Sequence, residues 1–240
     1  MFLSIIIPAY NESSILENSL IKIQDFLYEK DFQYEIIIIN DGSTDNTLEI
    51  ANLLASKNIN IKVINITHKG KGAAVKKGIL SSNAKWSFLC DADLSMPIDE
   101  LDKFLHEIKQ DPSIDIIIAN RSHLKSHVYK EPKIRHNLGI LFNIFVKFLL
   151  LKNFNDTQCG FKLFNNLTTS KIFKQQKING FSFDVEILFL SSKLKQNIKE
   201  IPIEWYYNSS SSVKFSNGSK AFLEIILILI FRILRKYKYN

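Results

Sequence analysis

Short apolar runs punctuate the first half of the chain, each closed by a polar or turn-forming residue. Phe2–Ile7 stops at Pro8, Glu35–Asn40 at Asp41-Gly42, Ile61–Ile66 just before a glycine-containing basic loop, and Trp86–Cys90 at Asp91. Their length and their β-branched content predict strands. Between them the apolar positions spread to helical spacing. Ile15, Leu16, Leu20, Ile23, Phe26 and Leu27 mark one helix, with Ser13 or Ser14 as its cap, and similar patterns cover Asp45–Ser56, Ala73–Ser81 and Ile98–Gln110. Ile114–Ala119 is a fifth strand. Runs with no polar alternation belong to strands covered on both faces. The strand–helix cadence predicts an α/β fold with a mostly parallel, Rossmann-like sheet and helices on both faces.

The second half is less regular. His123–Glu131 is polar and without pattern, which predicts a mobile loop carrying His123 and His127 in solvent. Leu138–Leu151 is an apolar helix, shorter than the ~20 residues a bilayer requires. Ala221–Leu234 is almost uninterrupted apolar sequence apart from Glu224 and Arg232, and it runs into Arg235-Lys236-Tyr237-Lys238-Tyr239. These features divide the chain into a domain over residues 1–215 and a C-terminal apolar and basic helix over 216–240, suited to anchoring at a membrane interface.

With 240 residues, 46% of them hydrophobic, there is enough apolar material for one sizeable core. The net charge of +7 points to an anionic partner: nucleic acid, a phospholipid surface or a phosphorylated substrate. A nucleic-acid-binding domain is disfavoured, because the basic residues are scattered and neither a helix-turn-helix nor an RNA-recognition signature occurs. Two cysteines, Cys90 and Cys159, make no disulfide framework or metal cluster. No secretory signal pattern precedes the first strand, and the cytoplasmic face of a membrane is the expected location.

In open α/β sheets, ligands bind beyond the carboxyl ends of the strands. The loops expected there carry complementary chemistry. Pro8-Ala9-Tyr10-Asn11-Glu12 follows the first strand, and Glu12 and Asp41 can accept hydrogen bonds from ribose hydroxyls and a base N–H. Helix capping is the alternative for both, since each lies just before a helix. Lys69, Lys71 and the amides around Gly70 and Gly72 can meet a diphosphate. Asp91 and Asp93 are hard oxygen ligands for a divalent cation, Mg²⁺ or Mn²⁺, that keeps positions open for phosphate oxygens. Arg121, at the end of the fifth strand, is a natural phosphate ligand. Neither Gly-x-Gly-x-x-Gly nor a P-loop is present, so a nucleotide diphosphate bridged by metal fits best.

Ile5–Glu12, Asn40–Asp45, Gly70–Val75 and Asp91-Ala92-Asp93 together resemble the family-two glycosyltransferases of GT-A fold, in order and in spacing. The resemblance implies nucleoside contacts at Glu12 and Asp41 and metal binding at Asp91 and Asp93. Asn40 stands where an aspartate is common. Asp156–Phe164, Phe181–Leu188 and Glu200–Trp205 narrow the likeness to the dolichyl-phosphate β-glucosyltransferases and their bacterial polyprenyl-phosphate relatives. That implies inverting transfer of glucose from a UDP-glucose donor to a polyprenyl-phosphate lipid acceptor, with Arg121 and Arg135 matching positions associated with the acceptor phosphate. A GDP-mannose-dependent enzyme and a non-catalytic nucleotide-sugar-binding module are the competing readings. A phosphate acceptor is already an anion, so Asp156 is a catalytic candidate beside Asp93 as an orienting group more than as a base. Asp184 and Glu186 are alternatives that read equally as the polar face of a structural helix.

Overall fold

The computed structural model describes residues 1–129, 132–207 and 215–238, apart from the side chains of 133–135 and 215–219. Three strand–helix units open the chain: β1 (Leu3–Ala9) with α1 (Leu16–Tyr28), β2 (Tyr34–Asp41) with α2 (Thr47–Lys57), and β3 (Ile61–Ile66) with α3 (Lys71–Ser81). There follow β4 (Trp86–Leu89), a short 3₁₀ turn, α4 (Leu101–Gln110), β5 (Ile116–Asn120), β6 (His127–Tyr129) and α5 (Lys133–Leu149). The chain closes with β7 (Lys162–Asn165), α6 (Asn166–Gln175), α7 (Phe183–Lys193), β8 (Ile198–Pro202), β9 (Glu204–Tyr206) and α8 (Phe215–Ile233).

The main sheet runs β3-β2-β1-β4-β7-β5-β8. All its pairings are parallel except those of β7, which is antiparallel to both neighbours. The apolar runs owe their lack of alternation to two covered faces. In β2, Ile36 and Ile38 enter the core beneath α1 and α4, while Ile37 and Ile39 enter the core shared with α3 and α5 to α8. All four are fully buried, and a side chain of this kind contributes about 2 kcal/mol on burial.

Neither Ser13 nor Ser14 caps α1, since Ile15 stands at its N-cap with no side-chain capping bond, and two further expectations change. The loop expected over His123–Glu131 contains β6, which pairs in parallel with β9 in a separate two-stranded sheet. Three residues were too few to leave a periodic signal, and the pairing is set by a partner far along the chain. The apolar helix expected over Leu138–Leu151 runs instead from Lys133 to Leu149, with Pro132 at its N-cap, because its polar first turn carries no apolar period to read. The C-terminal helix α8 packs against α5 and α7, with Ala221, Ile225 and Ile228 buried in the same core as α3 and α7.

Candidate active site

The loops after β1, β2 and β4 and the start of α3 meet at one edge of the sheet. The first two are laced together by short polar side chains. Asn11 Oδ1 accepts the Thr44 N–H at 2.8 Å, Thr47 Oγ1 accepts the Glu12 N–H at 2.8 Å, and Asp45 accepts the amides of Ser13 and Thr47. Burial pushes the Asp45 carboxyl up, but the bonds from Thr47 and Ser13 outweigh it and bring its pKa down to about 2. Ser43, whose hydroxyl accepts the Asn11 N–H at 3.0 Å, Thr44 and Asp45 therefore shape the loops.

Asp41, the last residue of β2, is buried and does the same for the next loop. Its carboxylate accepts the N–H groups of Lys69 and Gly70, each at 2.9 Å, and His68 Nδ1 lies 2.9 Å from it. The His68 ring stacks on Tyr10 with centroids 4.1 Å apart. Asp41 thereby fixes the amides of Lys69 and Gly70 just before α3, and any ligand contact it makes is shared with these bonds.

Lys71, in the first turn of α3, reaches the end of β4, where its Nζ stands 2.6 Å from Asp91 Oδ1. Burial pushes the ammonium toward neutrality; Asp91, Asp184 and Asp93 reverse this and hold its pKa above the ordinary lysine value. Asp93 accepts the Ser95 N–H at 3.0 Å, and burial, followed by the charge of Asp91, pushes its carboxyl up. Gly160 packs on the other Asp91 oxygen, so closely that a Cβ there would fall 1.9 Å from Oδ2. Below them Lys162, buried within the sheet, pairs with Asp184 at 2.6 Å. Acid and base therefore alternate from Lys162 through Asp184 and Lys71 to Asp91.

A pocket of about 700 Å³ opens on this edge. Pro8, Ala9, Tyr10, Glu12, Asp41 and Lys71 line it, with Asp91 and Asp93 at one side. The structure thus brings Lys69, Gly70 and every carboxylate expected to meet a nucleotide or a metal to one pocket, whereas Gly72, expected beside the diphosphate, is outside its lining and packs on Ile178, Gly180 and Phe183. Among the described residues no group of three or more His, Cys, Asp or Glu side chains forms a closed metal cage. Two carboxylates with room beside them suit a cation that takes its other ligands from phosphate and water, so the donor set fits Mg²⁺ or Mn²⁺.

Asp156 and Arg121 are brought to each other and are absent from the pocket lining. Arg121 donates from Nε and Nη2 to the two carboxylate oxygens at 2.7 and 2.9 Å, and its backbone N–H adds a third bond at 3.0 Å. Burial pushes the Asp156 carboxyl up, and Arg121 more than compensates, holding it below its usual range. Arg135 lies in the first turn of α5, with its side chain outside the described residues. Asp184 serves Lys162, and Glu186 accepts N–H bonds from Lys177 and Ile178 and the Tyr237 hydroxyl at 2.6 Å.

The far wall of the pocket was not foreseen. Asn179, Gly180 and Phe181 form part of it, and Lys220 and Glu224 reach it from α8. The one available signal was Glu224 itself, the single acid in an otherwise apolar and basic helix.

The model for Glycosyl transferase family 2 matches residues 4–175. The dolichyl-phosphate beta-glucosyltransferase of Dictyostelium discoideum is 37% identical over 242 residues, covering 95% of this chain and 74% of that protein. Proteins of the same name are 32% identical in Saccharomyces cerevisiae, over 100% of this chain and 78% of the relative, and 33% identical in Homo sapiens, over 85% and 67%. In fold, the chain is similar to the glucosyl-3-phosphoglycerate synthase of Mycobacterium tuberculosis solved with Mn²⁺, UDP-glucose and phosphoglyceric acid. The TM-score is 0.71 and the identity 14%, over 96% of this chain and 79% of that one. Strand order, the acidic edge of the sheet and these likenesses agree: the chain is a GT-A-fold enzyme and belongs to glycosyl transferase family 2.

Proposed function

We propose that this enzyme transfers glucose from UDP-glucose to dolichyl phosphate or a related polyprenyl phosphate, with inversion at the anomeric carbon, at the cytoplasmic face of a membrane. The observation that carries this reading is the convergence of Lys71, Asp91 and Asp93 with the Tyr10–Glu12 and Asp41 loops around one pocket. The acceptor class rests on the names of the relatives that are a third identical over most of the chain.

In this reading the loops that hold Glu12 and Asp41 receive the nucleoside, and Lys69, Lys71 and Lys220 meet the diphosphate. Asp91 and Asp93 hold a divalent cation, which supplies positive charge to the leaving diphosphate. Lys71 is fully cationic beside Asp91, so it offers a second positive charge where negative charge develops. The acceptor phosphate is an anion at neutral pH and needs no strong base. Asp156, held as an anion by Arg121, positions the guanidinium toward that phosphate.

The test is to incubate the protein with Mg²⁺ or Mn²⁺, a polyprenyl phosphate and radiolabelled UDP-glucose or GDP-mannose in parallel, with Asp93→Ala as control. Label entering the lipid phase from UDP-glucose alone, and absent with the variant, is the expected result. Label from GDP-mannose alone would overturn the donor, and binding of UDP-glucose without transfer to any lipid phosphate would overturn the enzyme reading.

A further inference from the structure

Asp41, Lys71, Asp91 and Asp93 are each engaged with protein partners at the pocket. Asp41 holds the Lys69 and Gly70 amides, Lys71 pairs with Asp91, and Asp93 accepts the Ser95 N–H. The wall contributed by α8 differs. Glu224 Oε2 accepts the Ser182 N–H at 2.8 Å, while Oε1 accepts no hydrogen bond and meets no cation among the described residues. Ser182 in turn donates from Oγ to the Ala221 carbonyl at 2.9 Å, which ties this turn of α8 to the wall. Gly180 leaves the space, because a Cβ there would sit 1.9 Å from Glu224 Oε1. The carboxylate is thus fixed by one oxygen and left unpaired at the other. Lys220, one turn before it, lines the same pocket.

This wall lies against the loop that precedes α3. A Cβ at Gly70 would come within 2.7 Å of the Asn179 carbonyl and 3.4 Å of Gly180 Cα, and the Ala73 N–H donates to the Asn179 carbonyl at 3.2 Å. Glu224 therefore stands across Gly180 from the diphosphate loop. An ionised carboxylate accepts hydrogen bonds and donates none, and the same holds for a diphosphate, so the two repel. The ligand group that Glu224 can hold must carry an O–H or N–H. In a nucleotide sugar those groups are the base N–H, the ribose hydroxyls and the hexose hydroxyls. The base and ribose have Glu12 and Asp41, and the hexose is what remains for Glu224.

We propose that Glu224 selects the donor sugar: its unpaired oxygen accepts hydrogen bonds from one or two hexose hydroxyls, while Lys220 meets the phosphate to which that hexose is attached. The proposal rests on the donor reading above and deepens it by naming the residue that recognises the sugar. Both side chains come from one turn of α8, so a single helix grips the junction of sugar and phosphate. A hexose lacking the hydroxyl that meets Glu224 leaves a charged acceptor unpaired beneath the bound donor, and such a loss is what makes rejection of an analogue strong.

The experiment titrates the full chain, with Mn²⁺ and without acceptor, using UDP, UDP-glucose and the four monodeoxy analogues of UDP-glucose altered at C2, C3, C4 and C6. GDP and GDP-mannose are titrated in parallel. The variants are Glu224→Gln, whose amide oxygen can keep the Ser182 bond, Gly180→Ala, whose methyl pushes the carboxylate aside without removing its charge, and Lys220→Met. In the wild type, one or two adjacent deoxy positions are expected to weaken binding about 10- to 100-fold relative to UDP-glucose, the range for a hydrogen bond to a charged group. Glu224→Gln and Gly180→Ala are expected to lose UDP-glucose affinity by a similar factor, to bind UDP as the wild type does, and to bind those deoxy analogues no more weakly than UDP-glucose. Lys220→Met is expected to weaken UDP and UDP-glucose alike. Equal changes for UDP and UDP-glucose in Glu224→Gln would make the residue a charge beside the diphosphate and overturn the proposal. A wild-type deoxy series with no weakened position, or one whose pattern survives in both variants, would overturn it too. Binding of GDP-mannose in place of UDP-glucose overturns the donor reading alone, and the comparison of GDP with GDP-mannose then decides Glu224 by the same criterion.

Discussion

Arg121 grips Asp156 at both carboxylate oxygens, at 2.7 and 2.9 Å, and the Arg121 backbone N–H closes a third bond onto the same group. Asp156 is almost completely buried, whereas a quarter of the Arg121 side chain is open to solvent. The carboxylate is therefore the structural half of the pair, and the guanidinium is the half that can meet a ligand.

Breaking a buried pair from one side costs about 3 to 5 kcal/mol, and the partial exposure of Arg121 sets the lower figure here. Asp156→Ala is expected to lose about 3 kcal/mol in urea unfolding. Its transfer activity is expected to fall with the positioning of Arg121. Because the carboxyl is already held below its usual range, Asp156→Glu is expected to leave the pH–rate profile without any new limb near neutrality. A limb that moves with this residue would show Asp156 to be a base.

Lys71 and Asp91 stand 2.6 Å apart, so the lysine competes for an oxygen that the proposed metal site needs. Lys71→Met is expected to bind Mn²⁺ more tightly without nucleotide, because Asp91 is released. The same change removes a charge from the diphosphate site, and UDP affinity should drop about ten-fold, one charge-assisted contact's worth. Calorimetric titration reads both. Equal Mn²⁺ affinity in the two proteins would mean that Asp91 takes no part in holding the cation.

Much of this site was legible in the chain, for a physical reason. The apolar runs of β1, β2, β4 and β5 report burial on both faces, and polar residues that the sheet must deliver to its edge close or follow them. Other parts had no local cause to read. Strand β7 lies antiparallel between β4 and β5 although it opens with a lysine, and Lys162 can be buried there because Asp184, on a helix made later in the chain, neutralises it. Glu224 looked like an interruption of an apolar helix; its inward position depends on the missing side chain at Gly180.

Asp45 ties the first two loops together as an anion, and its pKa of about 2 lies below the model-peptide value of 3.8. A carboxyl whose folded pKa is depressed adds stability above its unfolded pKa and loses it as pH falls through the folded value. The contribution of Asp45 is thus present above pH 3.8 and disappears toward pH 2. Asp45→Asn should lower the urea midpoint at pH 7, with the gap to wild type closing as the pH is brought from about 4 to about 2. A gap that stays constant over that window would assign the loss to shape instead of charge.

Gly160 offers the most selective way to disturb the metal site without touching a ligand. Its φ is not in the left-handed region, so alanine brings no backbone strain, and the conflict is with the Asp91 carboxylate, whose Oδ2 and Cγ would lie 1.9 and 2.6 Å from the new methyl. Asp91 sits at the end of a flexible side chain, so it can rotate away at small cost to the fold. What it cannot do is rotate away and keep its place beside Asp93. Gly160→Ala is therefore expected to unfold within about 1 kcal/mol of wild type, as a change without strain or cavity should. Its Mn²⁺ affinity is expected to fall at least about ten-fold, since one of two protein ligands is misplaced. Gly139→Ala is the matched control, because a Cβ there meets nothing within 4 Å. If Gly160→Ala binds Mn²⁺ as the control does, the cation is held without Asp91, and the pairing of Asp91 with Lys71 is the structural end of the chain of charges that begins at Lys162.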